Sequence, residues 1–126
     1  MVMVTEHPIN PATAFGLVST ENSGSAVFHY AVVKENTGRE RATTCIDYRH
    51  NGDVDAELEI IAADLKDKWF LDDVLLVRRT GRLEVGEIIS LVAASSPNSA
   101  DAFEACKYGI SRMKGMITIK KNEVFR

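Results

Sequence analysis

The hydrophobic residues of this chain follow two periods, one typical of strands and one typical of helices. Short runs rich in β-branched and aromatic residues predict strands at residues 2–5, 26–33, 42–48, 74–78, 88–94 and 116–120. We expect residues 2–5 to form an edge strand. Residues 26–33 are apolar on both faces except at His29, so they should lie inside the sheet, with His29 as a sheet residue rather than a ligand. The charged residues 34–41 should form a hairpin turn that pairs this strand with the next one.

Helical periodicity and capping residues predict three helices between the strands. Asn10 and Pro11 should cap and begin a short first helix. Residues 54–69 form the clearest helix, which Asp53 can cap. Its apolar stripe consists of Val54, Leu58, Ile61, Leu65 and Trp69. The last helix should begin after residues 95–99. Its expected buried face consists of Phe103, Cys106, Ile110 and Met113. Hairpins separated by helices indicate an α+β fold with a mostly antiparallel sheet and two main packing helices.

Length and composition favour one globular domain over residues 1–126, with a sizeable core. No apolar run approaches the roughly 18 residues that a membrane span needs. The first residues lack the basic start and long apolar region of a signal peptide, so we expect a cytoplasmic protein. Cys45 and Cys106 have no CxxC spacing and no histidine at ligand spacing. Both are therefore expected to be small buried residues, and no metal or cofactor is expected.

Positive charge is concentrated near the end of an otherwise acidic chain. Residues 107–126 contain six Lys or Arg and one Glu, whereas residues 1–106 contain nine basic and 17 acidic residues. This distribution favours a local anion site over general polyanion binding. RNA binding is the weaker alternative, because the basic segment has only Tyr108 and Phe125 as aromatic residues for base stacking.

The sequence contains no nucleophilic triad, phosphate-binding glycine loop or metal cluster. Lys114, at the end of the last helix, and Lys121, beyond a break at Gly115, could reach one pocket if the chain folds back. Lysines at a helix end also balance its dipole, and lysines on an edge strand prevent aggregation, so the residues alone favour those structural roles. The helix start at residues 96–101 is a second anion site candidate, although Asp101 there indicates simple capping.

Short segments along nearly the whole chain match one known family. They are 24–34 (GSAVFHYAVVK), 46–48 (IDY), Trp69, 74–81 (VLLVRRTG), Leu83, Gly86 with Glu87, 102–105 (AFEA) and 114–123. In this order and spacing they resemble the MoaE family, the large, catalytic subunits of molybdopterin synthase. The family's helix–lysine–strand–lysine–glutamate pattern is met by Lys114, Lys121 and Glu123.

The resemblance implies an α/β-hammerhead fold and a homodimer within a heterotetramer. Each large subunit would accept the C-terminal tail of a small ubiquitin-like sulfur carrier of the MoaD type. The thiocarboxylate of the tail would give sulfur to cyclic pyranopterin monophosphate, and two transfers would build the dithiolene of molybdopterin. The resemblance makes Lys114 and Lys121 the catalytic residues, with Lys114 beside the thiocarboxylate and Lys121 holding the pterin or phosphate. Cations suit this site because thiocarboxylates and phosphates are anions.

The resemblance also implies substrate contacts, some at positions that depart from the family. These residues are Lys34, Asn98, Ser99, Lys120 and Arg112. Lys34 stands where the family usually has arginine, so the charge is kept and the bidentate fork is lost. Asn98 and Ser99 replace a His-Arg pair that reaches across the dimer to the neighbour's substrate, and Ile119 replaces a tryptophan. The sequence also ends soon after this segment, where the family continues.

Two interpretations of these departures follow. Basic residues elsewhere could replace the lost pair, and the candidates are Arg39, Arg41 and Arg112. Alternatively, the protein is a non-catalytic homodimer that binds a ubiquitin-like carrier without converting the pterin.

Overall fold

The computed structural model describes residues 1–35 and 42–125. The strands in these ranges are β1 (Val2–Thr5), β2 (Ser25–Val32), β3 (Thr43–His50), β4 (Asp73–Arg79), β5 (Gly81–Glu84), β6 (Ile88–Ser96) and β7 (Ile119–Phe125). The helices are α1 (Pro11–Ala14), which a 3₁₀ turn at Phe15–Leu17 continues, α2 (Val54–Lys68) and α3 (Ser99–Lys114). None of the helices in the described ranges is long and apolar enough to cross a membrane.

The strands form two sheets. One has the order β1-β4-β6-β2 and the other the order β5-β3-β7. Only the pairing of β1 with β4 is parallel among the strand pairs of the described residues; the other pairs are antiparallel. The α+β fold with mostly antiparallel pairing is therefore confirmed, and β1 is an edge strand as predicted.

The predicted hairpin between the second and third strands is wrong. β2 pairs with β6, whereas β3 belongs to the other sheet and pairs with β5 and β7. β2 is also the last strand of its sheet rather than an interior one. β2 is apolar on both faces because both faces of this edge strand are covered by other parts of the protein. Val27 packs with the core under α2 and α3, and Phe28 packs with the core under α1. The predicted turn at residues 36–41 lies outside the described residues.

Two further strand predictions need correction. The sequence analysis missed β5, a short strand that begins at Gly81, where a φ of 96° turns the chain, and that forms by pairing with β3. The last strand begins at Ile119 rather than at residue 116. Residues 117 and 118 instead hydrogen-bond to a carboxylate of α2, so they connect α3 to β7 without strand pairing.

The helices pack as the capping and periodicity arguments predict, with one exception. Asn10, Asp53 and Asn98 cap α1, α2 and α3, and the apolar stripe of α2 lies in the main core, with Trp69 partly buried against it. In α3 the prediction for Phe103 is wrong, because its side chain is 62% exposed. The buried face of α3 consists of Ala102, Ala105, Cys106, Gly109 and Met113.

Small residues allow α3 to approach the sheet closely. A Cβ atom on Gly109 would lie 2.8 Å from Val92 Cγ1 on β6 and 3.2 Å from Leu65 Cδ1 on α2. Phe103 lies on another side of the helix from these small residues, so its side chain faces away from the core. Both cysteines are free and buried, as predicted.

Candidate active site

A cleft of about 590 Å³ lies where the two sheets meet the C-terminal end of α3. Strands from both sheets line it, together with the last turn of α3 and the segment that follows that helix. Its size is within the range of pockets that bind small molecules. Its apolar side chains are Val32, Val33, Ile46, Ile89, Val92, Ile110, Met113, Met116 and Ile119.

The charged lining of the cleft is entirely cationic within residues 1–35 and 42–125. It consists of Lys34, Arg78, Lys114 and Lys121, and the lining residues include no Asp or Glu. His29, Tyr30, Tyr48 and Ser90 add polar groups. A concave surface with one sign of charge concentrates ligands of the opposite charge. Apolar walls with several cations therefore suit an anion that carries a flat or apolar ring.

The chain brings Lys114 and Lys121 to this cleft by ending a helix and reversing direction. Lys114 is the last residue of α3, and the Gly115 N–H closes the helix by donating to the carbonyls of Ser111 and Arg112. β7 then pairs with β3 so that Lys121 lies opposite Tyr48. The sequence spacing allowed this convergence if the chain folds back, and the two lysines line the same cleft.

Glu57 holds the segment between the two lysines. Its carboxylate accepts hydrogen bonds from the Ile117 N–H at 3.1 Å, the Thr118 N–H at 3.0 Å and the Thr118 hydroxyl at 2.6 Å. Burial alone would raise the pKa of Glu57, but these hydrogen bonds outweigh it and lower the pKa below 4.5. Local sequence patterns did not indicate this contact, because Glu57 and Ile117 are 60 residues apart.

The loop before α2 supports the same segment from the other side. The Asn51 N–H donates to the Thr118 carbonyl at 2.6 Å. Gly52 has a φ of 144°, and a Cβ atom there would lie 3.1 Å from Thr118 Cγ2. Glycine thus allows both the backbone conformation and the close approach.

Glu123 positions Lys121. The Lys121 Nζ lies 3.9 Å from Glu123 Oε1, and the lysine side chain is 54% exposed whereas that of the glutamate is 13% exposed. The Thr43 hydroxyl donates a short hydrogen bond to the other carboxylate oxygen of Glu123. The buried, hydrogen-bonded carboxylate therefore fixes one end of the pair and leaves the ammonium group directed toward solvent and the cleft.

Arg78 is a cation of the cleft that the sequence analysis missed. It follows the buried run of β4, and its guanidinium carbon lies 4.4 Å from the centre of the Tyr48 ring. Burial raises the pKa of Tyr48, and the nearby charge of Arg78 partly offsets this rise. Burial also lowers the pKa of Arg78 from its usual value. An arginine at the end of an otherwise apolar strand was the available sequence signal.

The structure places two of the predicted substrate-binding residues outside the cleft. Lys120 is exposed and precedes Lys121 on β7, so its side chain points to the opposite face of the strand. Arg112 pairs with Asp64 of α2 at 2.5 Å. A hydrogen bond with Tyr108, followed by the charge of Asp64, raises the pKa of Arg112 further. This arginine thus connects the two main helices, and its role toward a substrate stays a prediction.

The remaining predicted residues fall in three places. Lys34 follows β2 and lines the cleft. Asn98 and Ser99 lie at the opposite end of α3 from Lys114, about 22 Å away for a helix of this length. The Asn98 side chain accepts hydrogen bonds from the backbone of Ala100 and Asp101. Arg39 and Arg41 lie outside the described residues.

Neither cysteine lines the cleft. The Cys106 thiol donates to the Val92 carbonyl at 3.2 Å, and burial raises its pKa to about 11. A thiol with this pKa is protonated at neutral pH and is a poor nucleophile. No group of acidic, histidine or cysteine side chains in the described residues is arranged to hold a metal ion.

Comparison with known proteins gives one consistent family. The sequence model described as MoaE protein matches residues 4–116. The molybdopterin synthase catalytic subunit of Bacillus subtilis is 29% identical over 123 residues, which covers 97% of this chain and 78% of the relative. The subunit with the same name from Pyrococcus abyssi is 33% identical over 116 residues, which covers 91% of this chain and 78% of the relative.

Solved structures agree with this result. The molybdopterin synthase structure from Staphylococcus aureus superposes with a TM-score of 0.89 at 27% identity, covering 98% of this chain and 90% of that one. The Helicobacter pylori complex of subunits 1 and 2 of molybdopterin-converting factor contains a chain with a TM-score of 0.77. That chain is 12% identical, with coverage of 99% of this chain and 85% of the other, so it supports the fold alone.

Proposed function

The chain belongs to the MoaE protein family, and from this premise we propose that it is the catalytic subunit of a molybdopterin synthase in molybdenum cofactor biosynthesis. The observation that carries this proposal is the cleft, where Lys114 and Lys121 lie with Lys34 and Arg78 and without a lining carboxylate among the described residues. The relatives from Bacillus subtilis and Pyrococcus abyssi, which this chain matches over more than nine tenths of its length, support it.

The proposed reaction transfers sulfur from a thiocarboxylate to a pterin. In each transfer the thiocarboxylate sulfur displaces an oxygen from a side-chain carbon of cyclic pyranopterin monophosphate and forms a C–S bond there. Water then cleaves the resulting thioester, so that the sulfur stays on the pterin and the carrier tail leaves as a carboxylate. Two transfers complete the dithiolene. A separate sulfur carrier is needed because neither cysteine of this chain reaches the cleft. We propose that the carrier is a small ubiquitin-like protein of the MoaD type, whose C-terminal tail enters the open side of the cleft.

The lysines have separate roles in this proposal. Lys114, at the end of a helix, neutralises the thiocarboxylate and stabilises negative charge as the sulfur atom attacks. Lys121, positioned by its ion pair with Glu123, binds the pterin or its phosphate. The apolar wall around Met113 and Ile119 faces the pterin ring and limits the access of water. No resident cofactor or metal is part of this mechanism, and the proposed location is the cytoplasm.

A homodimer within a heterotetramer is part of the same proposal. Asn98 and Ser99 are about 22 Å from Lys114 along one helix, so they could meet a substrate only in the cleft of a neighbouring copy. We expect two large subunits to form the centre of the assembly, with one carrier bound to each.

Replacement of Lys114 by alanine tests the catalytic role. We expect Lys114→Ala to abolish molybdopterin formation in an assay reconstituted with thiocarboxylated carrier and cyclic pyranopterin monophosphate. Lys107→Ala is the matched control, because Lys107 is an exposed lysine of the same helix that does not line the cleft. Near-normal turnover by Lys114→Ala would contradict the proposed role of Lys114.

A non-catalytic carrier-binding protein is the second candidate. The observation that favours it is the capping of α3 by the Asn98 side chain, with no basic residue in residues 95–103 to replace a His-Arg pair. This candidate predicts that calorimetry detects carrier binding and no pterin binding, whereas a synthase subunit binds both.

A further inference from the structure

Arg78 and Arg79 are adjacent, equally buried arginines that differ in their partners. Arg78 is 8% exposed and Arg79 is 7% exposed. Arg79 donates to the Glu6 carbonyl at 3.3 Å and pairs with Glu87 at 3.5 Å. Arg78 forms no ion pair with a carboxylate of residues 1–35 or 42–125, and its Nε has no hydrogen-bond partner there. A carboxylate therefore compensates the burial of Arg79, whereas the uncharged Tyr48 side chain is the neighbour that stabilises Arg78 in part.

An unpaired buried guanidinium is costly, because the group loses water without gaining a counter-charge. Native proteins satisfy nearly all buried polar groups, and the exceptions are concentrated at functional sites. Arg78 lines the cationic cleft, where an anionic ligand would supply both the missing charge and the missing acceptor. The arrangement indicates a binding residue whose anionic partner is a ligand rather than a carboxylate of residues 1–35 or 42–125.

Tyr48 fixes the orientation of Arg78 within the cleft. The ring lies 4.4 Å below the guanidinium carbon, a distance typical of a cation–π contact. Tyr48 is also the register partner of Lys121 across β3 and β7. Residues directly opposite on antiparallel strands present their side chains on the same face, so Lys121 lies on the same face of the sheet as Tyr48, over whose ring Arg78 lies.

We propose that Arg78 is a further substrate-binding residue and that its guanidinium binds the phosphate group of the pterin substrate. This inference rests on the proposed function. The phosphate is the favoured anion because Arg78 is buried and lines the cleft, where a small ligand fits, whereas Lys34 and Lys114 are exposed and open to a protein tail. Arginine presents a planar fork of N–H donors that matches the oxygens of a phosphate.

Calorimetric titration of cyclic pyranopterin monophosphate into wild-type and variant protein tests the proposal. Arg78→Met keeps much of the side-chain volume and removes the charge. We expect about ten- to hundredfold weaker pterin binding, the effect of losing one charge-assisted hydrogen-bonding group. Carrier binding should be unchanged. Arg82→Gln is the control, since Arg82 is an exposed arginine of β5 outside the cleft. Equal pterin affinity in Arg78→Met and wild type would overturn the proposal, and so would a loss confined to carrier binding.

Stability distinguishes a binding role from a structural one. Because Arg78 has an unsatisfied buried group, we expect Arg78→Met to unfold at the same temperature as wild type or at a higher one. A lower unfolding temperature with unchanged pterin affinity would assign Arg78 to structure and overturn the proposal. Arg78→Lys is the second variant, to be used if Arg78→Met fails to fold. It keeps the charge and lacks an Nε–H. Pterin binding by Arg78→Lys as tight as in wild type would overturn the proposal.

A probe without the pterin separates this inference from the proposed function. Titration of inorganic phosphate into protein with ¹⁵N-labelled arginine should shift the Nε–H signal of Arg78 and leave that of Arg82 in place. A wild-type protein that binds neither cyclic pyranopterin monophosphate nor carrier contradicts the proposed function. An unmoved Arg78 signal in protein that binds the pterin contradicts the role of Arg78 alone.

Discussion

The two ends of α3 have opposite properties. At the C-terminal end, Lys114 joins Lys34, Arg78 and Lys121 in a cleft without a lining carboxylate in the described part of the chain. At the N-terminal end, where backbone N–H groups favour anions, the Asn98 side chain accepts two of those hydrogen bonds. The helix thus presents Lys114 to the cleft at the end where its dipole favours cations. The C-terminal end contributes a cation to the cleft, and the N-terminal end is capped by its own side chain.

At the C-terminal end, the largest expected effect after the loss of activity in Lys114→Ala comes from Lys121. We expect Lys121→Ala to lower molybdopterin formation about 10²- to 10³-fold, the usual effect of removing one preorganised electrostatic contact. Lys120→Ala is the matched control, because the adjacent side chain points away from the cleft, and it should keep nearly full turnover. Reconstituted turnover measures both variants. A comparable loss in Lys120→Ala would show that the cleft as described omits a substrate contact.

The next largest effect is expected on stability when Glu57 is replaced, since its carboxylate holds the segment between Lys114 and Lys121. We expect Glu57→Gln to lower the free energy of unfolding by about 1–2 kcal/mol near neutral pH, as three hydrogen bonds lose their charged acceptor. Denaturant unfolding measures the change. Glu59→Gln, an exposed position on the same helix, should change stability by less than about 0.5 kcal/mol.

The difference in stability between wild type and Glu57→Gln should depend on pH. The folded-state pKa of Glu57 lies below its ordinary 4.5, so the unfolded state binds the proton more tightly. The stabilisation is fully present above about pH 4.5 and is lost as the pH falls through the lower folded-state pKa. Wild type and Glu57→Gln should therefore converge in stability as the pH falls below about 4.5. A constant difference down to low pH would show that the charge of Glu57 is not the cause.

The smallest effect is expected at the N-terminal end. Asn98→Ala should destabilise the protein by about 1 kcal/mol through loss of the cap, whereas Asn98→Asp should retain the stability because aspartate caps equally well. Thermal unfolding measures both variants. Unequal stability of Asn98→Asp and wild type would contradict the capping role. Weaker pterin binding by a stable Asn98→Asp variant would show that this end reaches the cleft of a neighbouring copy.

Local sequence patterns predicted the helices and showed that the two lysines could meet if the chain folds back. The stripe from Val54 to Leu65 and the caps at Asp53 and Asn98 depend on residues within a few positions of each other. Lys114 and Lys121 are separated by one helix end and one short connection, so their approach required only a reversal of the chain. Family resemblance then gave these lysines a proposed role that their spacing alone did not favour.

Contacts between distant segments were not predictable in this way. The apolar faces of β2 indicated an interior strand, yet its position beside β6 depends on packing from both sides of the sheet. The helical position of Phe103 indicated burial, but the side of α3 that meets the sheet is the one with Ala102, Ala105 and Gly109, so Phe103 is exposed. In each case the sequence showed that a residue is apolar, and only the packing decided which surface covers it.

The sequence by itself determined the helices, their caps and the cationic character of the last segment, because periodicity, capping and charge are local properties. The tertiary structure decided the partners. In the folded chain Glu57 accepts hydrogen bonds from the backbone of residues 117 and 118, and Arg79 pairs with the carboxylate of Glu87. Arg78 lies buried over Tyr48 without a counter-charge in the described residues. Two adjacent arginines are the same in sequence and differ in structure, because burial and hydrogen bonding depend on which strands and helices meet around each side chain.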